Sequence, residues 1–206
     1  MARDGLTVPA ATVAVALALI LSLGWMGGIR ADPAQAQASG FEAMFESDAA
    51  LFTDPARTIQ QLRMLGVQRI RLAVKWQSIA PRAGSRKPPA HFRATDPAAY
   101  PRANWTIWDT IVRDANRAGM ALDFDVLGGA PLWANGPGAP KGASNQSWEP
   151  SPSAYQSFVQ ALGTRYSGNY DPTRNKVVPG GPNDLPRISF WSVWNEPDYG
   201  PSLAPQ

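Results

Sequence analysis

The tetrapeptide Trp194-Asn195-Glu196-Pro197 carries the groups in this chain best suited to chemistry. A glutamate in a desolvated pocket beside Trp191 or Trp194 has its carboxyl pKa raised, which equips it to deliver a proton as a general acid. Asn195 adds a carboxamide that donates to a hydroxyl. Pro197 has a fixed φ, stiffens the chain and helps aim the carboxylate. Asp123 and Asp125 stand two apart on an alternating segment and so share one strand face. There they line a polar interior or pair with Arg or Lys. His91, the one histidine, lies among Pro and Ala and is read as a surface residue. The chain has no Cys, which excludes a disulfide framework, a zinc-thiolate site and a cysteine nucleophile.

Four segments are candidates for the strands that hold these groups. Phe41 to Glu46 alternates and reads as a short first strand. Arg69 to Trp76 (RIRLAVKW) reads as the second and Ala121 to Leu127 (ALDFDVL) as the third. Ile188 to Trp194 (ISFWSVW) reads as the fourth, apolar on both faces as in a covered parallel sheet. Helices fill the intervals. Asp54-Pro55 supplies an N-cap and a first-turn proline, Ile59, Leu62 and Leu65 follow at helical spacing, and Gly66 closes the helix. Asn104 is read as the cap of the second helix, with Ile107, Ile111, Ala115 and Ala118 as its stripe and Gly119 at its end. Trp105 and Trp108 on that helix are read as packing. Ser151 or Ser153 caps the third, whose stripe is Tyr155, Phe158, Leu162 and Tyr166. The order β-α-β-α-β-α-β predicts an α/β fold with a parallel sheet. The segments leaving the second and third strands are long and rich in Gly and Pro. Those strand ends are where barrels and open α/β sheets place their sites. No strand is followed by Gly-x-Gly-x-x-Gly or by a phosphate-binding Gly-Lys-Ser/Thr loop.

The 206 residues are 44% hydrophobic and 17% charged, which fits a globular chain; 20 Pro and 18 Gly call for extended loops. A net charge of +3, with no basic cluster evident along the sequence, gives no argument for nucleic acid. Ala10 to Met26 is a nearly unbroken apolar run behind a polar start that carries Arg3. Ala34-Gln35-Ala36 and Ala36-Gln37-Ala38 both match a small-x-small cleavage pattern. Together they predict a secretory signal peptide over 1–38, cleaved near Ala36 or Ala38, and a secreted or periplasmic protein. The other reading is a single-span anchor, so membrane contact is expected only if the segment stays uncleaved. The remaining domain, 39–206, has about 168 residues, against ~250 typical of an eight-stranded barrel.

FWSVWNEPDYG (Phe190 to Gly200) resembles the fourth-strand signature of the clan A glycoside hydrolases, the (β/α)8 retaining glycosidases. IRLAVKW (Ile70 to Trp76) is similar to the clan's second strand. Trp76-x-x-Ile79-x-Pro81 and Pro131-x-Trp133 resemble loop patterns of cellulase-like and xylosidase-like members, as in families 5 and 39. The resemblance runs from about Phe41 to Tyr199. It implies a TIM barrel of which this chain holds the first four β-α units. It implies Glu196 as general acid/base, Asn195 as the partner of a sugar 2-hydroxyl, and Arg71 as the arginine near the nucleophile. Arg71 is otherwise a structural ion-pair partner. Trp76, Trp133 and Trp148 lie in or beside the long loops, where each ring either stacks on the C–H face of a sugar or packs in the core. The implied activity is a secreted retaining glycoside hydrolase cleaving O-glycosidic bonds of a polysaccharide or oligosaccharide. No metal, no cofactor and no nucleic-acid partner is implied.

Retaining hydrolysis takes a second carboxylate ~5–5.5 Å from the first. In the clan it is a Glu on a seventh strand, and Glu42, Glu46 and Glu149 do not match its motif. Four strands spread over about 155 residues scale to roughly 310 for eight. The expectation is therefore the N-terminal half of a glycosidase, inactive alone, with strands one and four as open edges. The alternatives are a non-catalytic secreted carbohydrate-binding protein and a degenerate half-barrel completed by dimerisation.

Overall fold

Alternation in two strands decides the architecture of the computed structural model, which describes residues 41–139 and 147–205. The strands in chain order are β1 (Met44–Glu46), β2 (Arg69–Lys75), β3 (Ala121–Leu127), a hairpin of β4 (Tyr170–Asp171) with β5 (Lys176–Val177), and β6 (Phe190–Val193). The helices are α1 (Asp48–Thr53), α2 (Pro55–Met64), α3 (Trp76–Ile79), α4 (Arg102–Ala118) and α5 (Pro152–Arg165). Ile70, Leu72 and Val74 of β2 and Leu122, Phe124 and Val126 of β3 point to one face, and all six are buried. The two strands pair in parallel along their length, Ile70 opposite Leu122 and Val74 opposite Val126. β1 adds in parallel beside β2 and β6 beside β3, so the sheet runs β1-β2-β3-β6. The expected signal segment lies outside the described residues.

The helices pack on that one apolar face. Leu62 of α2, Ile111 and Val112 of α4, and Phe158 and Leu162 of α5 join the six strand residues in a single buried cluster. The opposite face of the sheet carries Arg69, Arg71, Asp123, Asp125 and Ser192 instead. The result is a mixed α/β fold with a four-stranded parallel sheet.

Most local signals correspond to what forms. β3 has the expected bounds. The Asp54 side chain accepts from Arg57 N at 3.2 Å, with Pro55 opening α2. Gly119 ends α4 at φ +68°, and the Ser151 hydroxyl accepts from Ala154 N at 3.3 Å to cap α5.

Other expectations are corrected. β1 is three residues long, and α1, unforeseen, buries only Leu51, too little to show a period. Leu65 is 78% exposed, because α2 ends at Met64 and the chain turns at Gly66. Asn104 is not a cap: it lies in the first turn of α4, and its Nδ2 donates to Ile79 O at 3.1 Å. The stripe that α4 buries is Trp105, Trp108, Ile111, Val112 and Ala115. The fourth strand is shorter than expected; it is an open edge as expected, and Phe190, Trp191 and Val193 are exposed rather than covered on both faces.

A buried charge pair joins α4 to α5. Arg165, 1% exposed, donates from Nε to Asp109 Oδ1 at 3.0 Å and from Nη2 to Oδ2 at 2.5 Å. The Tyr166 hydroxyl also donates to Asp109 Oδ1, at 3.0 Å, and the guanidinium lies over the Trp105 ring. Asp109→Ala strands this buried cation and is expected to cost about 3 kcal/mol of stability. Arg93→Ala, which breaks a pair whose arginine is 77% exposed, is expected to cost less than about 0.5 kcal/mol. Urea denaturation of both variants checks the contrast.

Candidate functional site

Parallel pairing brings the C-terminal ends of β1, β2, β3 and β6 to one edge of the sheet, and the loops leaving them are stitched together there. Gln77 N donates to Gly129 O at 2.9 Å and Leu132 N to Ala83 O at 2.6 Å, linking the segments after β2 and β3. Glu149 N donates to Ala204 O at 2.7 Å and Ala204 N to Ser147 O at 2.8 Å, linking the segments after β3 and β6.

Arg71 is the hub beneath these loops. Its Nη1 meets Glu46 Oε2 at 2.9 Å and its Nη2 meets Asp125 Oδ2 at 2.7 Å. Nη2 also donates to Asn195 Oδ1 at 3.4 Å. Glu46 stands directly opposite Arg71 in the ladder. Asp125 stands opposite Ala73 and Ser192, two small residues that leave room for the guanidinium to reach it. Asp123 forms none of the described ion pairs with Arg69, Arg71 or Lys75 of β2 but accepts from Ser192 Oγ at 2.8 Å. With its oxygen taken by Arg71, the Asn195 amide has its N–H groups left for a ligand.

Asp125 is 1% exposed. Burial pushes its carboxyl up to about 6; Arg71 pulls it back, while Glu46, Asp123 and Asp48 push it further up. Burial likewise raises the Tyr155 hydroxyl, with the Asp125 charge adding to it.

The exit of β6 is sharply bent. Trp194 and Glu196 both take left-handed backbone, at φ +56° and +49°, costing about 1 kcal/mol each. The Trp194 ring is what holds the bend. It lies so close to Gly128 that a Cβ there would sit 2.1 Å from Trp194 Cζ2. Its Nε1 donates to Ser202 O at 3.0 Å, and its ring meets Tyr155 edge-on with centroids 5.2 Å apart. Tyr155 in turn donates its hydroxyl to Val126 O at 2.7 Å. A cleft of ≈ 230 Å³ opens between Gly128-Gly129, Trp194-Asn195 and Pro201-Ser202.

Glu196 stands beside this cleft, lining a wide depression with Asp198 and Tyr199. Contrary to expectation it is exposed, not enclosed by Trp191 or Trp194. Trp191 packs against Phe124 and donates to Ile188 O, while Trp194 faces Gly128 and Tyr155.

The three loop tryptophans divide. Trp76 is 0% exposed and stacks on Phe158 at 5.7 Å, so its ring has no face for a sugar. That corrects its reading as a binding residue: α3 turns it inward at the strand end. Trp133 is half-buried, donates Nε1 to Pro81 O at 2.9 Å and meets Trp76 and Phe92 edge-on. Trp148 is half-buried, with Nε1 donating to Pro137 O at 3.3 Å. His91 is exposed, as expected. Among the described residues no group of three or more His, Asp or Glu is placed to hold a metal ion. Glu46, read from the sequence as a strand-one acid that does not match the nucleophile motif, and Tyr155, read as part of a helix stripe, are site neighbours through Arg71 and Trp194. Glu46 was findable as the acid that ends its strand.

No family model and no curated protein matches this chain.

The raised Asp125 carboxyl has a consequence for folding. The folded state holds the proton up to about 6, against an ordinary value of 3.8. Protonated Asp125 therefore contributes stability that is full below about 3.8 and is lost as pH rises through about 6. Asp125→Asn removes that titration. Across this window the variant is expected to lose less stability with rising pH than the parent. Urea midpoints measured at several pH values check the slope.

Proposed function

We propose that this chain is the acid/base half of a secreted glycoside hydrolase that cleaves O-glycosidic bonds of an oligosaccharide or polysaccharide with retention. The observation that carries the reading is the contact between Arg71 and Asn195, 124 residues apart, at the strand end where Glu196 emerges. The resemblance expects those three residues at one site. Two features of the fold support the barrel form of the reading. Consecutive β-α-β units place β1, β2, β3 and β6 in chain order within the sheet, and the helices lie on one face while the other is polar. A closing barrel has that layout, with a polar interior; a doubly wound sheet carries helices on both faces.

In this reading Asn195, its oxygen taken by Arg71, donates from Nδ2 to a sugar hydroxyl. Glu196 gives its proton to the glycosidic oxygen and later takes one from water. Arg71 keeps Asn195 in place and shares its one positive charge between Glu46 and Asp125. The second carboxylate, which attacks the anomeric carbon, is expected on a seventh strand and has no counterpart among the described strands. Export is proposed from the Ala10 to Met26 segment and its cleavage pattern. The exposure of Glu196 favours a second reading, a carbohydrate-binding protein without catalysis, because a general acid works best desolvated.

The chain is expected to bind neutral oligosaccharides saturably, followed by tryptophan fluorescence. Asn195→Ala should weaken binding about tenfold by removing a hydrogen bond to the ligand. Any turnover should disappear in Glu196→Gln with binding retained. A panel of glucan, xylan, mannan and polyuronate oligosaccharides that all fail to bind would overturn the reading. Turnover that survives Glu196→Gln would remove the catalytic role.

A further inference from the structure

The loop that follows α3 carries four basic residues and a histidine between positions 82 and 93. Arg82, Arg86, Lys87, His91 and Arg93 are all exposed. Arg93 pairs with Asp96 at 2.7 Å. Among the described ion pairs none involves Arg82, Arg86 or Lys87. Three positive charges thus stand on one loop without a carboxylate to meet them.

The loop is built to keep its shape. Pro81, Pro88 and Pro89 restrict the backbone. Ser85 N donates to Arg82 O at 2.8 Å, and Lys87 N donates to Ser85 Oγ at 3.2 Å. Ala83 O accepts from Leu132 N, and Pro81 O accepts from Trp133 Nε1. At its far end Phe92 packs edge-on against Tyr100 and Trp133, at 5.1 and 5.7 Å. Arg82 and His91 both hold left-handed backbone, at φ +50° and +56°, and these contacts maintain it.

Position gives the charges a use. The loop stands at the edge of the sheet where Asn195 and Glu196 emerge, and it is bound to Trp133, the half-buried indole of the neighbouring loop. An indole anchored to the backbone of a loop that carries exposed cations matches a sugar that has a C–H face and an anionic substituent. We propose that this loop and Trp133 bind the anionic groups of an acidic polysaccharide, a uronate carboxylate or a sulfate ester, as the substrate class of the site. The inference rests on the glycosidase reading and adds the charge of the glycan. The acids at the same edge are set apart from this loop: Glu46 and Asp125 share the charge of Arg71, Asp48 lies 3.8 Å from Lys75, and Glu196 and Asp198 line the separate depression after β6.

Affinity electrophoresis of the full chain tests it, with polygalacturonate, its methyl ester, dextran sulfate and dextran as probes. Retention is expected by an anionic glycan above its neutral counterpart, and is expected to fall steeply between ~20 and ~300 mM salt. Retention by polygalacturonate identifies a carboxylate reader; retention by dextran sulfate alone identifies a sulfate reader. The triple variant Arg82→Asn, Arg86→Gln, Lys87→Gln should weaken retention about tenfold. Asn tolerates the left-handed backbone at 82, and an unchanged urea midpoint checks folding. A control with Arg57→Gln, Arg63→Gln and Lys176→Gln removes equal charge from exposed positions on α2 and β5 and should change retention less than about twofold. The proposal is overturned if the neutral probes bind equally, if the control weakens as much, or if single-stranded DNA binds as tightly as the anionic glycans. Equal binding of neutral and anionic glycans overturns only this inference and leaves the glycosidase reading standing. Failure of both glycan classes overturns both.

Discussion

A carboxylate enclosed between strands has to be neutralised where it lies, and here one side chain does it. Asp125 is buried, and its cation is Arg71 of the neighbouring strand. The planar fork of Arg71 has enough donors to hold Glu46 of β1 and the Asn195 amide at the same time. A lysine at 71 has one point charge and no such fork. The guanidinium therefore fastens the start of the sheet, its middle strand and the exit of its last strand around a single point. Arg69 has the same role nearer the other end of the face, meeting Glu42 at 2.6 Å and lying over the Phe190 ring at 3.2 Å. The apolar face binds helices without direction; the charged face sets which strand exits stand together.

The parts of the fold legible in the sequence are those with a strong local cause. β3 has both a clean alternation and a glycine at each end, so its bounds were readable. Asp54-Pro55, Gly119 and Ser151 act through bonds to backbone within a few residues, and that locality makes them visible. Where tertiary contacts compete, the local signal misleads. Asn104 has the side chain of a cap, but it reaches across to Ile79 instead, and the helix starts before it. Leu65 continues a helical spacing past the end of its helix, so the period points to a core that the chain has already left. α1 and the β4–β5 hairpin are too short to carry a period.

The site was legible in its members more than in its surroundings. Arg71 and Asn195 were linked by resemblance, and no local pattern joins residues so far apart. Asp123 and Asp125 were rightly placed on one face by alternation. That only Asp125 reaches the arginine depends on the small residues opposite it, a property of register. Trp76 illustrates the limit for aromatic residues. An indole beside a loop has the same composition whether it faces solvent or the core, and here the turn of α3 sends it inward. The cations of residues 82–93 are separated by small residues and prolines except at the adjacent Arg86 and Lys87, so no long run of charge marks them; hydrogen bonds to Leu132 and Trp133 anchor the loop that carries them.

Orientation and solvation of Glu196 are governed by different parts of the molecule. Its direction follows from the bend at Trp194 and Glu196, two left-handed residues that relax unless something holds them. What holds them is the indole of Trp194, fixed by Gly128, Tyr155 and Ser202 on three sides. Any side chain at Gly128 collides with that ring, so the glycine is as much a part of the site as the acid. Solvation is a separate matter: Glu196 opens onto a wide depression shared with Asp198 and Tyr199, and none of the contacts that aim the carboxyl cover it. A carboxyl that is aimed but still wet is suited to meeting a polar ligand. It gains the character of a general acid only when something excludes the water, and a bound sugar ring is itself able to do that.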